Sequence, residues 1–138
     1  MWLSLSSTRW KCLTCAPFEV FSVAGRRNGW DPFNVYTVAE KLEPVKARNG
    51  LSVNPHYPIA SCPWPDLLVV LGGYGTRREM NNPSLITWIR NCSQTAELVL
   101  SVCAGALLLA KAGLLDGLSA TTHHGALELL KEVSSEHN

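Results

Sequence analysis

The chain has 138 residues, a formal net charge of +1, 46% apolar residues and 17% charged ones. That length suits a single domain, and so small a charge gives no electrostatic case for binding nucleic acid. No apolar run approaches the ~20 residues of a membrane span, and the five cysteines, odd in number and without framework spacing, favour reduced thiols in the cytoplasm.

Along the chain, Trp2-Leu3-Ser4-Leu5 alternates and can form a short strand. It is a poor signal peptide, because its apolar core is short and the basic residues follow it. Cys12-x-x-Cys15 invites a zinc or redox reading, but it has no second ligand pair, so no metal site is expected. Residues 17–26 read as a helix, with Pro17 in its first turn and Gly25 near its end. Residues 33–39 alternate as a strand, and residues 45–57, broken by Asn49-Gly50, read as a hairpin. A proline-rich loop at 61–65 leads into a buried-strand pattern at 66–71 and then Gly72-Gly73-Tyr74-Gly75-Thr76-Arg77. Residues 83–91 form an amphipathic helix with Asn82 as its cap. A second buried strand at 97–102 meets a helix at 104–111. Residues 117–124 read as a short strand ending in His123-His124, and residues 125–133 as a helix. The alternation of strand and helix from Asp66 onward predicts an open α/β sheet. The pairs Arg26-Arg27 and Arg77-Arg78 read as solvated.

Cys103 stands at the join of the second buried strand and its helix. A strand that turns at once into a helix exposes the corner residue and aims it at unpaired helix N–H groups. A thiol there is biased toward thiolate. Ala104, Gly105 and Ala106 are small enough for so tight a corner, which follows the logic of a nucleophile elbow. The competing reading is a small buried core cysteine. Gly72-Gly73 ends the neighbouring strand and can present backbone N–H groups to a developing anion; a plain strand-to-helix turn is the alternative. Neither a dinucleotide nor a Walker phosphate loop is present. His123 lies twenty residues after Cys103, with one helix and one turn between, so a Cys–His pair is geometrically feasible.

Together, Leu68-Val69-Val70-Leu71-Gly72-Gly73-Tyr74-Gly75-Thr76-Arg77, the run from Leu98 through Cys103 to Leu109, and Ala120-Thr121-Thr122-His123-His124 resemble the ThiJ/PfpI superfamily. This is the class I glutamine amidotransferase-like fold, in the branch of isocyanide hydratases and the sensory domains of AraC-type regulators. The resemblance runs from about residue 16 to the end and includes Pro17-Phe18-Glu19-Val20-Phe21. It implies a flavodoxin-like, mostly parallel sheet with helices on both faces. It also implies Cys103 as nucleophile or redox-sensitive thiol, His123 beside it, and an oxyanion hole from Gly72, Gly73 and the Ala104 amide. No cofactor is implied. Expected partners are a small-molecule substrate or ligand and, as a homodimer, a second copy of the chain.

The chain also departs from the family. The branch carries an acid four residues before the proline matching Pro17, where this chain has Leu13. It tends to have Thr where this chain has Ala104. Residues 1–15 do not resemble the family's first strand, so residues 16–138 are expected to be the family domain, incomplete at its C-terminal side. Two function classes stay open. One is a thiolate-dependent hydratase or hydrolase, and the other is a non-catalytic thiol or ligand sensor related to AraC-type regulators, or an inactive fragment.

Overall fold

The structure, a computed structural model, describes residues 2–5, 16–25, 29, 31–47 and 50–135. Leu13, the Cys12-x-x-Cys15 motif and Arg26-Arg27 lie outside them. The alternation near the N-terminus does become a strand, β1 (Trp2–Leu5), and it occupies the middle of the sheet. β1 pairs in parallel with β2 (Tyr36–Ala39) on one side and β6 (Leu67–Val70) on the other. A two-residue strand, β5 (Tyr57–Pro58), adds outside β2, and β7 (Leu98–Ser101) adds outside β6. The order β5-β2-β1-β6-β7 is therefore parallel throughout. A separate antiparallel pair joins β3 (Val45–Lys46) to β4 (Ser52–Val53).

Side-chain alternation explains how both sheet faces are covered. Leu68 and Val70 of β6, with Tyr36 and Val38 of β2, pack against α3 (Pro83–Ser93) through Leu85 and Ile89, and against α4 (Ala106–Lys111) through Leu108 and Leu109. Val69, Leu71 and Ala39 point the other way, toward Phe18 and Phe21 of α1 (Ala16–Val23). On its far side α4 offers Ala106, Leu107 and Ala110 to Leu130 and Val133 of α5 (Leu127–Ser135). This two-sided burial accounts for the unbroken apolar sequence of α4. Each buried Leu there contributes roughly 1.5–3 kcal/mol. Asn82 caps α3 as read, its Oδ1 accepting the Leu85 N–H at 3.4 Å, with Pro83 in the first turn.

Four expectations change. The hairpin is shorter than its pattern, because Tyr57 leaves it for the main sheet. The His56 N–H donates to the Thr37 carbonyl (2.8 Å) and the Ile59 N–H to the Ala39 carbonyl (2.9 Å), and the Tyr57 ring meets Tyr36 edge-on. β7 is an edge strand, half-buried at Val99 and Leu100 and exposed at Leu98 and Ser101, rather than a buried one. A short helix, α2 (Thr76–Glu79), follows the glycine loop. The strand expected at 117–124 does not form. Its apolar side is only Leu118 and Ala120, both exposed, which is too little to pin it to a neighbour.

One buried thiol makes stability pH-dependent. Burial, with Cys62 nearby, pushes Cys92 from an ordinary 9.0 up to about 12. Burial likewise pushes Tyr36 from 10.0 up to about 12, its hydroxyl donating to the Pro63 carbonyl at 3.0 Å. A raised pKa means that the folded state holds the proton more tightly. The stabilisation is then complete below pH 9 and is lost as pH rises toward 12. The melting temperature should fall steadily from about pH 9 upward, and less steeply in Cys92→Ala than in the parent. A flat profile over that range in both proteins would contradict the burial of these groups.

Candidate functional site

The sheet's connections reverse between β1 and β6. In open parallel sheets ligands bind beyond the carboxyl ends of the strands, near such a reversal. The carboxyl ends of β6 and β7 carry Gly72-Gly73 and Cys103.

Cys103 is exposed and holds φ 56°, the one non-glycine residue with positive φ among the described residues. Its conformation is fixed from both sides. Before it, the Val102 N–H donates to the Val70 carbonyl at 3.0 Å, extending the β6–β7 ladder. After it, the chain enters a 3-10 turn (Cys103–Gly105), with the Gly105 N–H bonded to the Val102 carbonyl at 3.0 Å, and then α4. Gly105 lies directly on β6. A Cβ there would overlap the Val70 carbonyl oxygen and stand 3.0 Å from its carbon. Gly72 lies equally close to the elbow, where a Cβ would be 2.5 Å from the Val102 oxygen and 2.6 Å from the Ala104 nitrogen. Two glycines thus let β6 and the elbow share one space.

Gly72, Gly73 and Ala104 are buried behind the thiol, whereas Cys103 faces open space. Gly73 has φ 136° and its carbonyl accepts the Thr76 hydroxyl at 2.7 Å, which ties the loop to α2. In front of the thiol is a cleft of about 560 Å³. Val99 and Leu100 of β7 form one wall, and residues 119–123 form the other. The segment that the sequence suggested as a strand therefore runs beside β7 but stands off from it. Cys103 and His123 line the same cleft.

Two residues with no assigned role in the sequence reading join this wall to the elbow. The Thr122 hydroxyl donates to the Cys103 carbonyl at 2.9 Å, on the peptide whose N–H belongs to Ala104. The Arg77 guanidinium, expected to be solvated, donates to the Gly125 carbonyl at 3.1 Å and lies 4.7 Å over the Tyr74 ring. Periodicity gives no sign of either bond, because each spans a long stretch of chain. His123 caps a second 3-10 turn (His124–Ala126). Its Nδ1 accepts the Gly125 N–H at 3.1 Å, and its ring lies against His124 with centroids 4.1 Å apart. With Nδ1 accepting, a neutral His123 ring carries its proton on Nε2.

A larger hollow, about 630 Å³, opens at the opposite end of the strands beside Tyr36, Trp64, Asp66 and Glu97. The described residues place neither thiol nor imidazole in it, so size and chemistry point to different ends of the sheet. Among the described residues no cluster of three or more His, Cys, Asp or Glu gathers to hold a metal ion, and no helix is long and apolar enough to cross a membrane.

Comparison with known proteins identifies the family and the fold. The model of the DJ-1/PfpI family matches residues 14–137. Isonitrile hydratase of Pseudomonas putida is 38% identical over 101 residues, 73% of this chain and 44% of the hydratase. The HTH-type transcriptional regulator CdhR of Pseudomonas aeruginosa is 36% identical over 114 residues, 83% of this chain and 33% of the regulator. The chain thus spans less than half the length of either relative. Among solved structures, a ThiJ/PfpI family protein from Pseudomonas syringae superposes over 96% of this chain and 54% of its own, with TM-score 0.78 and 24% identity. A DJ-1 superfamily protein from Agrobacterium tumefaciens superposes over 99% of this chain and 70% of its own, with TM-score 0.75 and 17% identity. At such identities the two structures speak for the fold alone.

Proposed function

Because the chain belongs to the DJ-1/PfpI family, we propose that Cys103 is a nucleophile that adds water to a small electrophilic molecule by way of a thioester-like intermediate. The observation that carries this reading is the strained, exposed conformation of Cys103 at a strand-to-helix corner. Strain of that kind costs about 1–3 kcal/mol and persists where the surroundings enforce it. The cleft in front is walled by Val99, Leu100, Leu109 and Leu115, with no charged side chain among its described lining. It suits an uncharged, largely apolar substrate.

The chemistry balances without a cofactor. Sulfur forms a bond to the electrophilic carbon, and the thiol proton passes to the substrate. Water then adds to the same carbon, the C–S bond breaks, and the thiol is restored. The Ala104 amide, with Gly72 and Gly73, is assigned to hold the negative charge that develops on the substrate. His123, with Nδ1 occupied by the Gly125 N–H, is assigned as a donor through Nε2 toward the thiolate or that charge, rather than as a base. An isonitrile is the first substrate to try, because one relative is named for hydrating it; the product is the N-substituted formamide. The same proposal places the protein in the cytoplasm, as a homodimer.

A second reading rests on the match to a transcriptional regulator over 83% of this chain. On that reading the cleft binds a small molecule without turning it over, and Cys103 reports it or an oxidant. Turnover separates the two: formamide released in many equivalents per chain supports the enzyme, whereas saturable binding without product supports the sensor.

Thiol reactivity tests the shared premise. With limiting iodoacetamide at neutral pH, Cys103 should label first among the three described thiols. Cys62 is half-buried and burial pushes its thiol up. Cys92 is buried and raised to about 12. Its ionised fraction is then roughly a thousandfold below that of an ordinary thiol, before any loss of access. Peptide mapping that finds Cys62 or Cys92 labelled ahead of Cys103 would remove the elbow from consideration.

A further inference from the structure

The imidazole of His123 sits on a segment with little backbone support. The Leu118 N–H bonds the Leu115 carbonyl and the Ala126 N–H bonds the His123 carbonyl, and the described backbone bonds include none from residues 119–122. Among the described side chains, those of Thr122 and Arg77 tie that wall to its surroundings, Thr122 by a bond to the Cys103 carbonyl and Arg77 by one to the Gly125 carbonyl from the far side. Gly125 is the residue on which the imidazole rests. Its N–H donates to Nδ1, and a Cβ there would stand 3.4 Å from Nδ1 and 3.5 Å from Cε1. Gly125 sits inside the 3-10 turn, closed by the Ala126 and Leu127 N–H groups on the His123 and His124 carbonyls, and its own carbonyl is held from outside the turn by Arg77. The N–H that sets the His123 tautomer is therefore only as well placed as Gly125 is held. Arg77 is in turn aimed by lying over the Tyr74 ring, in the loop that begins with Gly72-Gly73.

From this we infer that Arg77 is a positioning residue, which fixes the orientation and tautomer of His123 by anchoring the Gly125 carbonyl. Tyr74 acts with it by fixing the guanidinium. This deepens the proposed function and rests on it, because His123 matters to chemistry only if Cys103 is the nucleophile. It also couples the glycine loop to the histidine wall, across forty-eight residues of sequence, so that donors from both strand ends keep one geometry. A planar, multiply donating guanidinium suits the task better than an ammonium. The bond lies at the surface, where such contacts contribute little to global stability, so its loss should act locally.

The experiment compares Arg77→Met, Arg77→Lys, Tyr74→Leu and His123→Gln with the parent chain. Nitrogen-15 NMR of the imidazoles reads the tautomer, and His123→Gln assigns its resonance among the four histidines. Turnover is read with an alkyl isonitrile. Arg77→Met should bring the Nδ1 and Nε2 shifts of His123 toward each other as the tautomers mix. It should also lower kcat about tenfold with little change in KM, at a melting temperature near the parent's. Arg77→Lys should recover part of both effects, and Tyr74→Leu should fall between parent and Arg77→Met. An unchanged His123 spectrum in folded Arg77→Met overturns the inference, whatever happens to turnover. If Arg77→Met does not fold, Tyr74→Leu decides by the same spectrum. If His123→Gln turns over like the parent, the assigned role of His123 fails, while the NMR result still judges the anchoring of its ring.

Discussion

Gly105→Ala should destabilise the chain by at least ~3 kcal/mol, and Gly105→Val should leave it unfolded. Overpacking a core ordinarily costs about 1–3 kcal/mol, because flexible side chains can give way. At Gly105 the obstacle is the Val70 carbonyl, backbone in β6. That carbonyl already accepts the Val102 N–H at 3.0 Å, so it cannot turn aside without breaking the bond that ends the β6–β7 ladder. Making room means lifting α4 from the sheet, and α4 contributes Leu107, Leu108 and Leu109 to two core clusters. Domain stability is only about 5–15 kcal/mol, so little margin remains. Gly72→Ala presses on the Val102 oxygen and Ala104 nitrogen instead. It should cost less stability but displace the elbow, slowing Cys103 alkylation more than any change at the surface. Gly50→Ala is the control: φ is +87° but nothing stands within 4 Å, so only the left-handed backbone penalty of about 1 kcal/mol applies. Urea titration of the three variants gives the order. If Gly105→Ala loses no more than Gly50→Ala, the close packing of elbow on β6 is wrong.

These glycines also show what the sequence made legible. The elbow is local: an apolar run, a cysteine and three small residues are enough to read the corner, and the structure forms it where expected. The same holds for α3, whose Asn82 cap and Pro83 are written within four residues. Trp2-Leu3-Ser4-Leu5 was readable as a strand. Its place at the sheet centre was not, because alternation names no partner. Residues 117–124 show the converse failure. They have strand-like composition, but too few apolar groups to dock, and the cleft lies where a ladder was expected. The tie from Arg77 to Gly125 was hidden for another reason. A lone basic pair looks solvated until folding brings a carbonyl forty-eight residues away within reach. The acid that the resemblance places four residues before Pro17 falls at Leu13, outside the described residues, and β1 ends well before it, at Leu5.

Substitutions at Cys103 should separate stability from chemistry. Cys103→Ser, Cys103→Ala and Cys103→Gly should each lower isonitrile turnover by ~10³-fold or more, as removal of a nucleophile does. Their stabilities should differ among themselves. A side chain at φ 56° brings Cβ against the following carbonyl, at a cost of roughly 1–2 kcal/mol that glycine does not carry. Glycine also gains freedom in the unfolded chain, which offsets up to about 1 kcal/mol of that relief. Cys103→Gly should therefore melt at or a few degrees above Cys103→Ala. Cys103→Val, branched at Cβ, should be the least stable. At an ordinary helix start the order would be reversed, with alanine clearly better than glycine. What holds the cysteine in this conformation is the set of bonds around it: Val102 N–H to the Val70 carbonyl, Gly105 N–H to the Val102 carbonyl, and the Thr122 hydroxyl to its own carbonyl. Thr122→Val keeps the shape and removes the last of these. It should narrow the gap between glycine and alanine at position 103, because a loosened elbow can relax its φ. A Cys103→Ala variant clearly more stable than Cys103→Gly would show that the corner carries no strain. A Cys103→Ser variant that keeps turnover would show that the thiol is not the nucleophile, and the group that attacks the substrate would then have to be another one.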